Sequence, residues 1–254
     1  MTPRRARMRG WGPAAALLAG WAVAWEALVR AGGVEDFLLP APTQIAAALG
    51  DHPGPLGRAA LATAGVVLLG LALALALGFA LALLVHLSGT LERALLPLLV
   101  ATQTVPVVAF APLLAAVLGY GDAPKLVIVV LVSFFPVVVA VSDALRRADE
   151  DLDLMLAALG AGRLRRLWIA GIPGALPAFF SSARLAGAYA VVGAVVGEWV
   201  AGTDGLGYLM NQASAGLETA EAFAAGVLLT LIGGLLFAAT RAAERLATPW
   251  RERS

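Results

Sequence analysis

The 254-residue chain has no cysteine, one lysine (Lys125) and two histidines, His52 and His86. Without cysteine there is no disulfide framework and no thiolate nucleophile. The two histidines are far apart in sequence, and no HExxH or His/Cys cluster exists, which argues against a zinc centre. A lone lysine in Pro124-Lys125-Leu126 cannot form a GxxxxGK[ST] phosphate loop, so the chain does not hydrolyse ATP by that route. No serine sits in GxSxG, which removes the usual signature of a membrane hydrolase. Charge is also scarce: Asp, Glu, Lys and Arg make up 14% of residues, against roughly 25% in soluble domains.

What is abundant is apolar surface. The chain is 60% hydrophobic with a mean hydropathy of +0.86. A helix needs about 20 apolar residues to cross a bilayer. Only helices or closed barrels satisfy their backbone there. The pattern predicts an all-α polytopic protein with six spans: Trp11–Val29, Ala59–Val85, Ala94–Leu118, Lys125–Leu145, Ala178–Val200 and Glu221–Thr240. Residues 1–58 then form an N-terminal tail, first span and outer loop. Residues 59–240 form the core, with a polar loop over 146–172, and residues 241–254 form a tail. An alternative reading makes the N-terminus a signal peptide, with Ala22-Val23-Ala24 as the cleavage-like site.

Arginine and lysine set the orientation. With the N-terminus inside, 14 cations fall inside and Arg30, Arg58 and Lys125 fall outside, leaving Arg184 within a span. Both termini are therefore expected in the cytoplasm. The inner 14 include Arg146, Arg147, Arg163, Arg165 and Arg166 of the polar loop.

That loop carries its own pattern. Asp149, Glu150, Asp151 and Asp153 precede a short helix and suit its positive N-terminal end. Leu152, Met155, Leu156 and Leu159 recur at helical spacing, and Gly160 is the expected stop. Arg163, Arg165 and Arg166 start a second polar segment, expected to break at Pro173. An apolar face on such a loop either lies in a partner's groove or rests on lipid.

Ionisable residues within apolar runs are costly and usually face protein or water. Glu26 and Arg184 lie near span ends and are expected to snorkel, whereas Glu198 reads as a gate or a structural group. Thr102, Gln103 and Thr104 precede Pro106. Polar groups beside a helix break either line a path or hydrogen-bond between helices. Gly193 and Gly197 form a GxxxG pair, expected to pack helices closely.

The loop resembles the EAA-x3-G-x9-I-x-LP signature of ABC importer permeases. Gly160 matches the glycine and Ile172-Pro173 the LP, while Ala170 takes the isoleucine position and Leu154-Met155-Leu156 the EAA positions. The stretches Ala101–Leu114, Pro124–Val139 and Gly197–Met210 are similar to permeases for sulfonates, taurine, nitrate and thiamine pyrimidine precursors; the likeness covers Ala59 to Thr240. The resemblance implies a type I importer fold in a bacterial inner membrane and no enzymatic activity or cofactor. It implies two copies of a separate ATPase subunit, a periplasmic or lipid-anchored substrate-binding protein and a homodimer. Nucleic acid is not an expected partner, and membrane lipid is. It assigns the ATPase contact to Asp153, Leu154, Met155, Leu156, Leu159, Gly160 and Ala161. It also makes Asp204–Met210 a periplasmic turn and short helix, for which a tight structural turn is the alternative.

Thr102, Gln103, Thr104 and Glu198 are the expected translocation path. Resemblance in Gln103-Thr104-Val105-Pro106, Gly197-Glu198-Trp199 and Thr248-Pro249-Trp250 points to a thiamine pyrimidine precursor such as hydroxymethylpyrimidine. Sulfonate, taurine and nitrate are alternatives, and an ATP-independent channel or carrier is a lower one. A carrier would want a buried acid near mid-membrane, and Glu198 lies toward a span end.

Overall fold

The computed structural model describes residues 12–32, 35, 37–104, 106–147 and 150–249. Asp149, Val105, Trp250 and the arginines before Gly12 and after Pro249 lie outside them. The described residues form helices and no strand: α1 Gly12–Ala31, α2 Pro42–Asp51, α3 Pro53–Leu87, α4 Gly89–Thr104, α5 Val107–Leu118 and α6 Asp122–Arg146. There follow α7 Glu150–Ala158, α8 Arg163–Ala201, α9 Leu206–Ala215 and α10 Thr219–Ala247.

Among the described residues, four single helices are long and apolar enough to cross a membrane: α3, α6, α8 and α10. One of the six expected spans is broken in two. The third is two helices, α4 and α5, bent 94° apart, which together make a fifth candidate span. Pro106 caps α5 with extended backbone, and it has no N–H to continue the helix from α4. The first expected span is α1, 20 residues long. It carries Glu26, Arg30, Trp21 and Trp25.

The fifth span is longer than expected, 39 residues rather than 23. Pro173 does not break it. A π turn over Leu167–Gly171 closes with the Ile172 N–H donating to the Leu167 carbonyl, and Pro173 then falls in the first turn of the following α-helical stretch. The wider turn relieves the ring clash that a strict α-helix would impose. The polar segment from Arg163 is therefore continuous with the membrane helix.

The core lies where α3, α6 and α8 meet, around Val67, Val129, Val137, Ala186, Ala190 and Ala194. Small residues let these backbones approach. A side chain at Gly70 would meet Val129 at 2.5 Å, and one at Gly78 would meet the Phe134 carbonyl at 2.8 Å. Both glycines of the GxxxG pair work this way: a Cβ on Gly193 would lie 3.1 Å from the Val129 Cα, and on Gly197 2.9 Å from the Lys125 Cα. Large apolar residues such as Leu61, Val117 and Leu235 stay exposed on the outside of the bundle, the disposition lipid solvates.

Candidate functional site

Three places gather polar chemistry. The first is at the end of the bundle bearing Lys125. Glu198 is 1% exposed, on α8. Its carboxylate accepts the Thr63 hydroxyl at 2.7 Å and the Gly207 N–H at 2.7 Å. Thr63 Oγ1 in turn accepts the Leu206 N–H at 2.8 Å. An acid thus sits at the N-terminus of α9, on the Gly207 N–H, where the helix dipole favours it. The turn before α9 needs Gly205: its φ is +106°, and a Cβ there would fall 2.3 Å from the Glu198 carboxyl carbon. Beside this group Lys125 is buried, with Nζ donating to Asp204 at 2.6 Å and to Asp122 at 3.0 Å. The Gly121 N–H donates to the Ala201 carbonyl at 3.0 Å. Asp204–Met210 is accordingly a tight turn at Asp204-Gly205 followed by the first residues of α9.

The second is a cavity of 960 Å³ between α6 and α8, closed on one side by the α4–α5 bend. Gln103, Phe135, Ser181, Ser182 and Tyr189 line it among apolar residues, and among the described residues no Asp, Glu, Lys, Arg or His does. Ser181, Leu185, Tyr189 and Val192 recur at three- and four-residue spacing, so one face of α8 forms a wall. Gln103 alone of the expected path residues lines this cavity. Thr102 and Thr104 donate to the Leu99 and Ala101 carbonyls of their own helix at 2.6 and 2.8 Å. Glu198 is elsewhere, turned into the α9 cap.

The third is at the opposite end. α7 ends as expected on Gly160, with φ +79°; the Gly160 N–H reaches the Ala157 carbonyl at 2.9 Å and the Ala161 N–H the Leu156 carbonyl at 2.9 Å. This is a Schellman closure. Leu154, Met155 and Leu159 are 67%, 53% and 75% exposed, while Leu152 and Leu156 are half-buried. The free apolar face therefore keeps Met155 and Leu159 of the expected one and adds Leu154. Asp153 pairs with Arg166 rather than pointing away. A 690 Å³ recess beneath α7 is lined by His86, Arg146, Asp153, Arg163 and Arg166. Arg146 bonds Glu92 at 2.6 Å and Asp143 at 2.7 Å.

The two residues expected to snorkel each have a partner within the chain. Glu26 accepts from Arg30 at 2.6 Å and from the Thr43 N–H and hydroxyl at 3.1 and 2.8 Å, which ties α1 to the start of α2. Arg184 pairs with Glu244 of α10 and lies 6.0 Å from the Phe237 ring. Sequence reasoning missed Thr63, Tyr189 and Ser181. The helical spacing from Ser181 to Val192 was the available signal for the last two. No local signal pairs Thr63 with Glu198.

Comparison with known proteins adds to this. The family model described as "Binding-protein-dependent transport system inner membrane component" matches residues 70–251. The chain is 36% identical to the formylaminopyrimidine transport permease protein ThiX of Halalkalibacterium halodurans, over 91% of this chain and 92% of that one. It is 37% identical to the riboflavin transport system permease protein RibX of Chloroflexus aurantiacus, over 90% and 86%. It is 28% identical to the taurine transport system permease protein TauC of Escherichia coli, over 85% and 82%. Among solved structures, an inward-facing conformation of the MetNI methionine ABC transporter superposes with a TM-score of 0.68 at 18% identity, covering 76% of this chain and 96% of that one.

Proposed function

The chain belongs to the family of binding-protein-dependent transport system inner membrane components, and on that premise we propose that it imports a small neutral heterocycle, a thiamine pyrimidine precursor. It is an ABC importer permease, a multi-pass inner-membrane protein and not an enzyme. Such a permease works with an ATPase and a substrate-binding protein. The observation that carries the substrate reading is the uncharged lining of the 960 Å³ cavity. The sulfonate of an alkanesulfonate, both charged ends of taurine, or nitrate would be desolvated there without a countering side chain, which is costly. A pyrimidine instead offers donors and acceptors to Gln103, Ser181 and Tyr189, and a flat ring to Phe135 and Tyr189. The relatives named for formylaminopyrimidine and riboflavin stand at 36% and 37% identity, those named for taurine and aliphatic sulfonates at 28%.

One chain supplies a wall of this cavity, and we assign the facing wall to a second copy, giving a homodimer with two ATPase subunits. The exposed Leu154, Met155 and Leu159 take the ATPase contact, with Gly160 and Ala161 fixing the end of that helix. Transport then proceeds by alternating access: ATP closes the ATPase pair, the α7 helices follow, and the two halves rock about the cavity. Thr102 and Thr104 shape the bend on which Gln103 is carried. Both termini face the cytoplasm, as does α7, and Lys125 lies outside; a reporter fused after Ala247 is expected inside and one in the 119–121 turn outside. A C-terminus exposed to the periplasm would overturn the topology.

The test of the path is Gln103→Leu. Losing one neutral hydrogen bond costs about 0.5–1.5 kcal/mol, or about 2- to 12-fold. Uptake of the pyrimidine is expected to fall within that span while assembly with the ATPase is retained. Uptake at the wild-type rate would remove Gln103 from the path. A cognate binding protein that prefers taurine or a sulfonate would overturn the substrate reading.

A further inference from the structure

We propose that α8 is a lever between the two faces of the membrane and that the Asp153–Arg166 ion pair is the joint by which it moves α7. The inference rests on the permease reading above and adds a route for the coupling.

Three observations carry it. First, α8 is one helix of 39 residues, about 58 Å long, because the π turn at Leu167–Gly171 bridges the place where Pro173 would otherwise break it. Second, its outer end is fixed to its surroundings. The Glu198 carboxylate holds Thr63 of α3 and the start of α9, and the Ala201 carbonyl holds the Gly121 N–H before α6. A load on α9 therefore bears directly on α8. Third, the inner end is tied to α7 by side chains. Arg166, one turn into the helix, pairs with Asp153, in the first turn of α7. The short link of residues 159–162 turns on Gly160 and leaves α7 projecting with an exposed apolar face.

The Asp153 side chain is 45% exposed and that of Arg166 26%. A pair this accessible adds little to folding. Its value is geometric: it fixes the angle of α7 against the rod. The other charged groups facing it across the recess are Arg146 and Arg163, with His86. Arg146 is held by Glu92 and Asp143. Arg163 donates to the His86 carbonyl at 3.4 Å. Asp153 is thus a positioning residue that acts through Arg166.

The experiment is a double-mutant cycle in the full complex with its ATPase and binding protein, using Asp153→Asn, Arg166→Gln and the pair together. The readout is the ratio of ATPase activity with loaded binding protein to activity without it, alongside co-purification of the ATPase. A joint predicts that each single variant lowers the ratio about tenfold, that the double lowers it no further, and that the ATPase still co-purifies. Wild-type ratios in either single variant would overturn the joint. So would losses that multiply in the double, or an ATPase that no longer binds, since the residues would then act independently or in docking. A wild-type complex whose ATPase does not respond to loaded binding protein would instead overturn the permease reading.

Discussion

Replacing Glu198 by leucine is expected to cost more than any other single change considered for this chain. The carboxylate, itself buried, is the acceptor for the Thr63 hydroxyl and for the Gly207 N–H in the first turn of α9. Leucine leaves two buried donors without acceptors, at about 1–3 kcal/mol each. It also removes the anion from a helix N-terminus, worth about 0.3–1 kcal/mol. Lys125 keeps Asp204 and Asp122, so α6 itself should hold. The expected result is a chain that inserts but purifies with a clearly lowered melting temperature in detergent and no transport. Glutamine, which keeps an acceptor oxygen, is expected to recover part of the stability. A leucine variant as stable as the wild type would mean that the α9 cap is not held by Glu198.

The second large effect is expected at the ATPase contact. Leu154 and Met155 are exposed, whereas Leu156 is half-buried and its carbonyl closes the Schellman turn. Leu154→Asp with Met155→Asp therefore tests docking without disturbing the helix end, which Met155→Asp with Leu156→Asp would not. Burying a large apolar side chain contributes about 1.5–3 kcal/mol, so two losses should weaken ATPase binding by at least about 100-fold. Co-purification of the ATPase and uptake should both disappear while the permease still inserts. Retained co-purification together with normal uptake would defeat the assignment of α7 to the ATPase.

Much of this fold is legible in the sequence, and the parts that are not have identifiable causes. Long apolar runs reported α3, α6, α8 and α10, because lipid demands the same length and composition of any spanning helix. The stop at Gly160 was readable because a left-handed residue after a helix is a local requirement. Pro106 signalled the break in the third run, yet the 94° bend depends on packing that no local pattern records. Pro173 misled in the other direction, since a π turn accommodates what a strict α-helix cannot. The polar groups were harder. Glu198 is separated from Thr63 by 135 residues and Arg184 from Glu244 by 60, and burial of an acid in a span says only that it has a partner, not which. Of the expected face of α7, Met155 and Leu159 are exposed while Leu152 and Leu156 are half-buried, and Leu154 beside it is exposed too, a division that hydrophobic spacing alone does not record.

The central claim is that this chain passes a neutral pyrimidine across the membrane under the drive of a separate ATPase. Uptake into proteoliposomes holding the permease, its ATPase and its binding protein tests it most directly, with labelled hydroxymethylpyrimidine or formylaminopyrimidine and with taurine, a zwitterionic sulfonate, as the competitor. The account predicts uptake that requires both ATP and the binding protein, falls with Gln103→Leu, and is unaffected by excess taurine. Uptake that proceeds without ATP, or that excess taurine abolishes, would contradict it.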